Sequence, residues 1–422
     1  MSQTRYKGFA DWLEERLPII SPADHFFNHY PTPRNLNYLW NFGSLAGLLL
    51  IIMILTGLLL AMQYQPNVAL AFDSVERIMR DVNYGWLMRY VHMNGASFFF
   101  MAVYIHILRG IYYGSYKGKR EVLWILGIII FIEMMATAFM GYSLVFGNMS
   151  LWGLKVITGL FTAVPVIGQE LQTFLLGGPS VDNAALNRFF VLHFVMPFVI
   201  LATVMLHVLA LHSVGSNNPL GIDMKGPQDT ISFHPYYTAE KLFFIGGFFL
   251  VFFLFVFFMP NALGEVANYD PADPLAAPAH IAPEWYFLPF YAILRSIDFD
   301  LFFITAKQLG AIAMFGSMIV LALMPWLDRS PVKSARFRPI FQIMVILLVI
   351  TFIVLGYVGK QNPDAPFHMN IFFTTIPFGI QTIIVGKIFT ALYFLFFLAL
   401  PFLHLVEKPR PMPQSIAAAM KH

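Results

Sequence analysis

Four histidines stand at one repeated interval. His92 and His106 are 14 residues apart in one long apolar stretch, and His193 and His207 are 14 apart in another. At about 100° per residue, 14 steps return to within about 40° of the starting face, and the rise separates the two rings by about 21 Å. Each helix would present two imidazoles on one stripe, one toward each membrane surface. If the two helices run in the same direction, His92 matches His193 in depth and His106 matches His207, giving two stacked bis-imidazole sites. A single intramembrane histidine is often no more than a helix–helix hydrogen-bond partner. Two pairs at equal spacing and matched depth argue against that reading. Zinc would want a third or fourth ligand, whereas low-spin haem iron takes two axial imidazoles and its apolar macrocycle suits a bundle interior.

Glycine repeats the interval in two further apolar stretches, as Gly43 and Gly57 and as Gly127 and Gly141. Without a Cβ, each lets a flat ring approach the backbone, so these four are expected to line the same two rings. Glycine also serves close helix packing in membranes, and the shared interval is what singles these out. Arg89 lies three residues before His92 and Arg109 three after His106, each about one turn nearer its own surface than its histidine. Buried charge needs a partner, and haem propionates directed to each surface would supply it. Arg188, five residues before His193, would join the outer set. Snorkelling at the interface is the competing reading for each arginine.

The helices that must hold these rings read as membrane spans. Of 422 residues, 58% are hydrophobic and only 12% are Asp, Glu, Lys or Arg, about half the roughly 25% of soluble domains. So little charge cannot cover the surface of a water-soluble protein of this size, and the chain is expected to be an all-α polytopic membrane protein. The absence of cysteine excludes disulfides, thiolate-held iron–sulfur clusters, covalent Cys-x-x-Cys-His haem attachment and cysteine zinc sites in this subunit. Windows of about 20 apolar residues predict eight transmembrane helices, at 37–63, 86–113, 121–146, 188–211, 241–260, 306–327, 339–359 and 383–405.

Loop charges orient these spans. Arg5, Lys7, Arg16 and Arg34, then Lys117, Lys119 and Arg120, then Arg329, Lys333, Arg336 and Arg338, then Lys408, Arg410 and Lys421 all fall on one side. The positive-inside rule makes that side cytoplasmic, with both termini on it. The long loops 64–85, 147–187 and 261–305 face outward, the last of them acidic. The expected organisation is an inner-face amphipathic segment (1–36, around Trp12, Leu13, Leu17 and Ile19), a dihaem four-helix bundle with an inner-face loop (37–240), four further helices (241–405) and an inner-face tail (406–422). Residues 1–36 lack the apolar run of a cleavable signal. The basic clusters read as solvated loops, so nucleic acid is not an expected partner.

Further motifs are Met135–Tyr142 (MATAFMGY), Gly215–Pro219 (GSNNP), Phe233–Tyr237 (FHPYY) and Pro283–Tyr286 (PEWY). With the paired histidines and glycines, they make the chain resemble, over nearly its whole length, the cytochrome b family of ubiquinol–cytochrome c oxidoreductases, the cytochrome bc complexes of respiratory membranes. Photosynthetic members are divided between two chains and have one extra residue in the second histidine interval. The resemblance implies two non-covalent haem b groups, a low-potential one near the outer face on His92 and His193 and a high-potential one near the inner face on His106 and His207. It implies ubiquinol oxidation at an outer site, with one electron going to a Rieske iron–sulfur protein and one through the outer then the inner haem to quinone at an inner site. This Q cycle contributes to a proton gradient. Implied partners are the Rieske protein, a cytochrome c1-type subunit, membrane lipid and a second copy of the complex in a homodimer. The expected location is a bacterial inner membrane, with the mitochondrial inner membrane as alternative, and the chain would be catalytic only within its complex.

Hydroquinone oxidation releases protons, so the outer site needs a base facing outward, and Glu284 is a carboxylate in an aromatic, apolar neighbourhood that should raise its pKa. Pro283, Trp285 and Tyr286 complete its motif, Tyr142 and Tyr291 are candidate hydrogen-bonding partners, and Phe139 and Met140 candidate apolar walls. That glutamate resembles ubiquinone users more than menaquinone users. At the inner site His212 has a suitable intrinsic pKa for proton donation, and Ser216 and Asn217 follow in the adjoining loop. After FHPYYT the family commonly shows a Lys-Asp pair, whereas here Glu240 and Lys241 stand in the reverse order. Two further departures are Val145, Phe146, Gly147 and Asn148 in place of Pro-Trp-Gly-Gln, and Glu133 in mid-span. The competing functions are a dihaem quinol dehydrogenase subunit and a proton-relay transporter without haem. A haem–copper subunit would need further histidines in the fifth to seventh spans, where none stands.

Overall fold

The computed structural model describes residues 8–18, 20–21, 30–371 and 374–420. Its principal elements are α1 (Phe9–Arg16), β1 (Pro31–Pro33), α2 (Asn41–Ala61), α3 (Ala71–Arg80), α4 (Gly85–Tyr112), α5 (Glu121–Leu144), α6 (Asn148–Leu160), α7 (Gly168–Leu176), α8 (Asn183–Val214), β2 (Thr230–Ser232), α9 (Thr238–Phe258), α10 (Leu288–Arg295), α11 (Ala306–Ala322), α12 (Met324–Leu327), α13 (Pro339–Lys360), β3 (Pro366–Ile371), β4 (Thr374–Gln381), α14 (Thr382–Val406) and α15 (Ile416–Ala419).

In hydrocarbon a helix satisfies its own backbone, which is why the long apolar runs are helical. Among the described residues, seven helices are long and apolar enough to cross a membrane: α2, α4, α5, α8, α9, α13 and α14. The stretch 306–327, expected as a further full span, instead divides into α11, 17 residues long, and the single turn α12 around Pro325. Proline removes a donor and crowds the preceding turn. Alone, α11 reaches about 26 Å, just short of a hydrocarbon core of about 30 Å.

In the first half of the chain α2 lies along α4 and α5 along α8, and α2 also meets α8. In the second half α10 packs on α11, α13 and α14. Here the outer-loop expectation needs refinement, because the residues after Glu284 turn inward to form α10. Its Leu288, Phe290 and Ile293 are buried, each contributing about 1.5–3 kcal/mol by the usual area argument, and this anchors the segment that carries Pro283–Tyr286. Loops 64–85 and 147–187 likewise hold short helices, α3, α6 and α7.

Two small antiparallel sheets depart from the all-α expectation. The first pairs β1 with β2, Pro31 opposite Ser232, and joins the N-terminal segment to the chain before α9. The second is the β3–β4 hairpin, in a stretch rich in β-branched and aromatic residues that favour extended backbone. Helix α1 buries none of its residues, and Ile19 lies outside the described residues.

A buried ion cluster links the halves where α4 leads into α5. Tyr116 Oη donates to Asp328 Oδ2 at 2.6 Å, and Lys117 Nζ lies 2.8 Å from the same oxygen. Arg338 grips both oxygens of Asp328, at 2.7 and 3.0 Å, and its Nε reaches Glu407 Oε2 at 2.8 Å. Burial alone would raise the Asp328 carboxyl, but Arg338 and Lys117 hold it below its ordinary range.

Candidate haem and quinone sites

His92 and His193 face one another with ring centroids 6.2 Å apart, and His106 and His207 do so at 6.4 Å. Two imidazoles each bound through one nitrogen to the same metal would have centroids about 6.3 Å apart, from a metal–nitrogen bond of about 2.0–2.1 Å and a ring radius of about 1.1 Å. The residues present therefore fit a bis-histidine haem at both depths. Each imidazole backs onto one of the four glycines. A Cβ on Gly43 would lie 2.8 Å from His106 Cε1, one on Gly57 3.1 Å from His92 Cε1, and one on Gly127 3.2 Å from His207 Cε1, while on Gly141 it would collide with His193 Cε1. Helices α2 and α5 thus supply the space in which the rings of α4 and α8 stand.

Both rings of the outer pair are oriented by hydrogen bonds at Nδ1, whereas His207 Nδ1 is buried with no partner among the described residues. His193 Nδ1 donates to the Thr137 carbonyl at 2.8 Å, and Thr56 Oγ1 lies 2.9 Å from His92 Nδ1. A bond at Nδ1 leaves Nε2 as the atom presented to a metal. Arg109 Nη2 is 3.1 Å from His106 Nδ1, with its guanidinium 5.0 Å from the Trp40 ring. Thr56 is absent from the sequence reading, and its only signal there is adjacency to Gly57.

A cavity of about 600 Å³ opens at the outer pair, within the range of small-molecule and cofactor sites. His92, His193, Gly57, Gly141 and Arg89 share its wall with Tyr142, Glu284 and Tyr286. Met53, Phe194 and Phe198 make the wall largely apolar, while Glu76, Glu265 and Asn268 add polar groups that the sequence reading did not single out. The Glu284 carboxyl is pushed up to about 7, mainly by burial, with the Glu265 charge adding to the rise and Lys360 opposing it. Burial, then the neighbouring Glu284, hold the Tyr286 phenol well above its ordinary range. The Tyr142 hydroxyl is buried without a hydrogen-bond partner among the described residues.

The first half of the chain grips the motif around Glu284. The Tyr286 ring stacks on Phe100 at 4.1 Å, its carbonyl accepts from Tyr104, and Trp285 Nε1 donates to Ser97 Oγ at 3.1 Å. Phe139 and Met140 pack behind the cavity wall, with Phe139 against Phe189 at 5.8 Å. Pro283 and Tyr291 also lie off the wall, Tyr291 donating to the Ile281 carbonyl at 3.2 Å. Arg188 is exposed and bonded to the Phe174 carbonyl at the end of α7, so Arg89 and not Arg188 reaches the outer cavity. Of the departing tetrapeptide, Val145 lines the cavity, and Asn148 ties it to the later loop through its N–H to Asp270 O at 2.8 Å and its amide to Ala276 O at 2.9 Å.

Around the inner pair, Asn217 Nδ2 donates to Tyr113 O at 2.9 Å and to Ser115 Oγ at 3.2 Å, and Arg109 Nη1 reaches the same hydroxyl at 3.4 Å. Ser216 Oγ donates to Asn217 O at 3.0 Å. Lys241 Nζ donates to Ser44 Oγ at 3.3 Å, beside the Gly43 that meets His106. Glu240, about 100° around α9, is half-buried and does not share that contact. His212 stands edge-on to Tyr30 at 4.6 Å.

An apolar bundle that sets two facing histidine pairs at two depths has the design of a membrane haem protein. A family model described as Cytochrome b/b6/petB matches residues 27–215, and one described as Cytochrome b(C-terminal)/b6/petD matches residues 271–394. Cytochrome b of Rickettsia bellii is 54% identical over 410 residues, 97% of each chain. A protein of Bradyrhizobium diazoefficiens named cytochrome b/c1 is 50% identical over 410 residues, 97% of this chain and 56% of that one. A chain from a structure titled hyperthermophilic respiratory Complex III superposes with a TM-score of 0.84 at 35% identity, covering 94% of this chain and 99% of its own. The chain belongs to the cytochrome b family.

Proposed function

We propose that this chain is the dihaem, quinone-reacting subunit of a protonmotive ubiquinol–cytochrome c reductase, and its family membership makes it the cytochrome b of a respiratory complex. The observation that carries the site-level reading is the outer cavity, which puts His92 and His193 on the same wall as Glu284 and Tyr142. His92 and His193 would hold an outer haem b, His106 and His207 an inner one, with Arg89 and Arg109 available to their propionates. Bound there, the haems supply a one-electron path along the bundle.

The chain's own residues handle the protons. Ubiquinol oxidation needs a base, and a Glu284 that titrates near 7 is ready to accept at working pH. The unpaired Tyr142 hydroxyl is a hydrogen-bonding partner for a quinol oxygen, and the apolar wall keeps water away. At the inner end, Lys241 and His212 are the donors a quinone undergoing reduction would meet, while Asn217 holds the adjoining loop through Tyr113 and Ser115. In this reading α11 and α12 together complete an eighth crossing, within the mismatch a bilayer accommodates, and both termini lie on the cytoplasmic side of a bacterial inner membrane. A Rieske protein would take the other electron from ubiquinol, and the relative named cytochrome b/c1, of which this chain spans 56%, supports a cytochrome c1-type partner. The working unit would be a homodimer of the complex.

The test is haem stoichiometry with ligand replacement. Two b-type haems per chain are expected in dithionite-reduced spectra, and His106→Leu or His207→Leu should remove the inner haem alone. Absence of a b-type spectrum, or loss of both haems from either substitution, would overturn the reading.

A further inference from the structure

The two histidine pairs differ at Nδ1. Thr56 Oγ1 donates its one proton to the Ile52 carbonyl at 2.7 Å, so in its 2.9 Å contact with His92 Nδ1 the hydroxyl oxygen accepts and the ring donates. His193 Nδ1 donates to the Thr137 carbonyl at 2.8 Å. Both outer rings therefore give their N–H to an oxygen. At the inner pair, His207 Nδ1 is buried without a hydrogen-bond partner among the described residues, and His106 Nδ1 meets Arg109 Nη2 at 3.1 Å. A guanidinium only donates, so Arg109 brings His106 positive charge and no acceptor.

The hydroxyl belongs to one of four equivalent places. The residues before the ring-facing glycines are Phe42, Thr56, Leu126 and Met140, so His92 alone meets a side-chain oxygen there. Each end also has an arginine three residues from its histidine, Arg89 or Arg109. Of the two, Arg109 touches a ring nitrogen, whereas Arg89 lies on the cavity wall.

An imidazole that donates from Nδ1 is a more basic ligand at Nε2. A more basic axial ligand favours ferric over ferrous iron and so lowers the potential. Given the histidine pairs as haem ligands, on which this rests, we propose that Thr56 is a positioning residue for the outer haem: its oxygen holds the His92 N–H and thereby lowers the potential of the outer site relative to the inner one. An electron then runs downhill from the outer site to the inner.

The experiment is a redox titration of the whole complex in its own membrane, with haem b per chain measured alongside. Thr56→Val keeps the shape and removes the oxygen, and Thr56→Ser keeps the oxygen. The valine variant should raise the potential of the outer haem alone, changing its oxidised-to-reduced ratio at a fixed ambient potential by up to about tenfold, the worth of one hydrogen bond, or about 59 mV for one electron. Thr56→Ser should titrate as the unaltered protein does. An outer potential unmoved in Thr56→Val, an equal rise in both haems, or a serine shift as large as that of valine would overturn the proposal. Should Thr56→Val lose the outer haem, Thr56→Cys decides, since sulfur is a weak acceptor: its outer potential should rise, and an unmoved one overturns the proposal. Fewer than two haems per unaltered chain would sink the ligand reading and this proposal with it, whereas two haems with an unmoved outer potential would sink this proposal alone.

Discussion

Adding one methyl group at each of the four glycines should injure the haems in a definite order and at definite depths. Ordinary carbon–carbon contact is about 3.5–4.0 Å. Alanine at Gly43 would place a Cβ 2.8 Å from His106 Cε1, so the imidazole must retreat by about 0.7 Å to regain contact distance. The same subtraction gives about 0.4 Å at Gly57 and about 0.3 Å at Gly127, from 3.1 and 3.2 Å. Gly141 has the largest deficit of the four. Metal–nitrogen bonds tolerate about 0.2 Å, and overpacking of this kind costs about 1–3 kcal/mol, which corresponds to about 5- to 150-fold in site occupancy. The expected severity is therefore Gly141→Ala, then Gly43→Ala, Gly57→Ala and Gly127→Ala. The first and third should act on the outer haem and the second and fourth on the inner one. Redox titration of the reduced-minus-oxidised spectrum would follow the two proposed haems separately. The reasoning fails if Gly43→Ala spares the inner haem while harming the outer, or if Gly127→Ala is as damaging as Gly141→Ala.

Two further outcomes follow from charge. With Glu284 titrating near 7, the proton-accepting form is depleted as pH falls, so ubiquinol oxidation should decline about tenfold per pH unit below that value and level off above it. Glu284→Gln should be slower by about 10²–10⁴ and lose that slope, and a wild-type rate that is flat from about pH 5.5 to about 8 would refute the base assignment. Asp328→Asn leaves Lys117 and Arg338 buried with too little negative charge, a loss of about 3–5 kcal/mol. It should appear as earlier haem release on heating in detergent, and an unchanged transition would show that the cluster does not hold the two halves together.

The paired histidines and glycines were legible in the sequence because a helix repeats its geometry: an interval of 14 residues fixes both face and depth before any neighbour is known. The facing of His92 with His193 and of His106 with His207 follows from that regularity. Arg188 illustrates the opposite case. Its distance from His193 along the helix is the kind that suggests a shared site, yet a flexible side chain at a helix start takes the nearest unsatisfied acceptor, which is the Phe174 carbonyl ending α7. Glu265 and Asn268 gave no periodic signal, since their place at the outer cavity depends on how chain segments far apart in sequence come together, and Thr56 gave none because its partner His92 stands on another helix. The β3–β4 hairpin was hidden for a related reason: strand pairing is non-local, and its apolar residues read as an ordinary loop between two spans.

The outer cavity belongs to neither half of the chain. Its histidines come from α4 and α8, and Glu284 comes from the segment before α10. Their relative position is held at one end by Phe100, Tyr104 and Ser97 on α4, which take the ring and carbonyl of Tyr286 and the indole of Trp285. It is held at the other by Asp328 and Arg338, which join the turn after α4 to the tail after α14. Helix α4 is common to both joints, carrying His106 between them and His92 just before the first. A shift of the second half against the first would therefore move Glu284 relative to His92, and in a buried, apolar cavity a small displacement changes both the distance to a bound quinol and the desolvation that sets the carboxyl near 7. The proton-accepting group is thus tuned by contacts that lie outside its own loop.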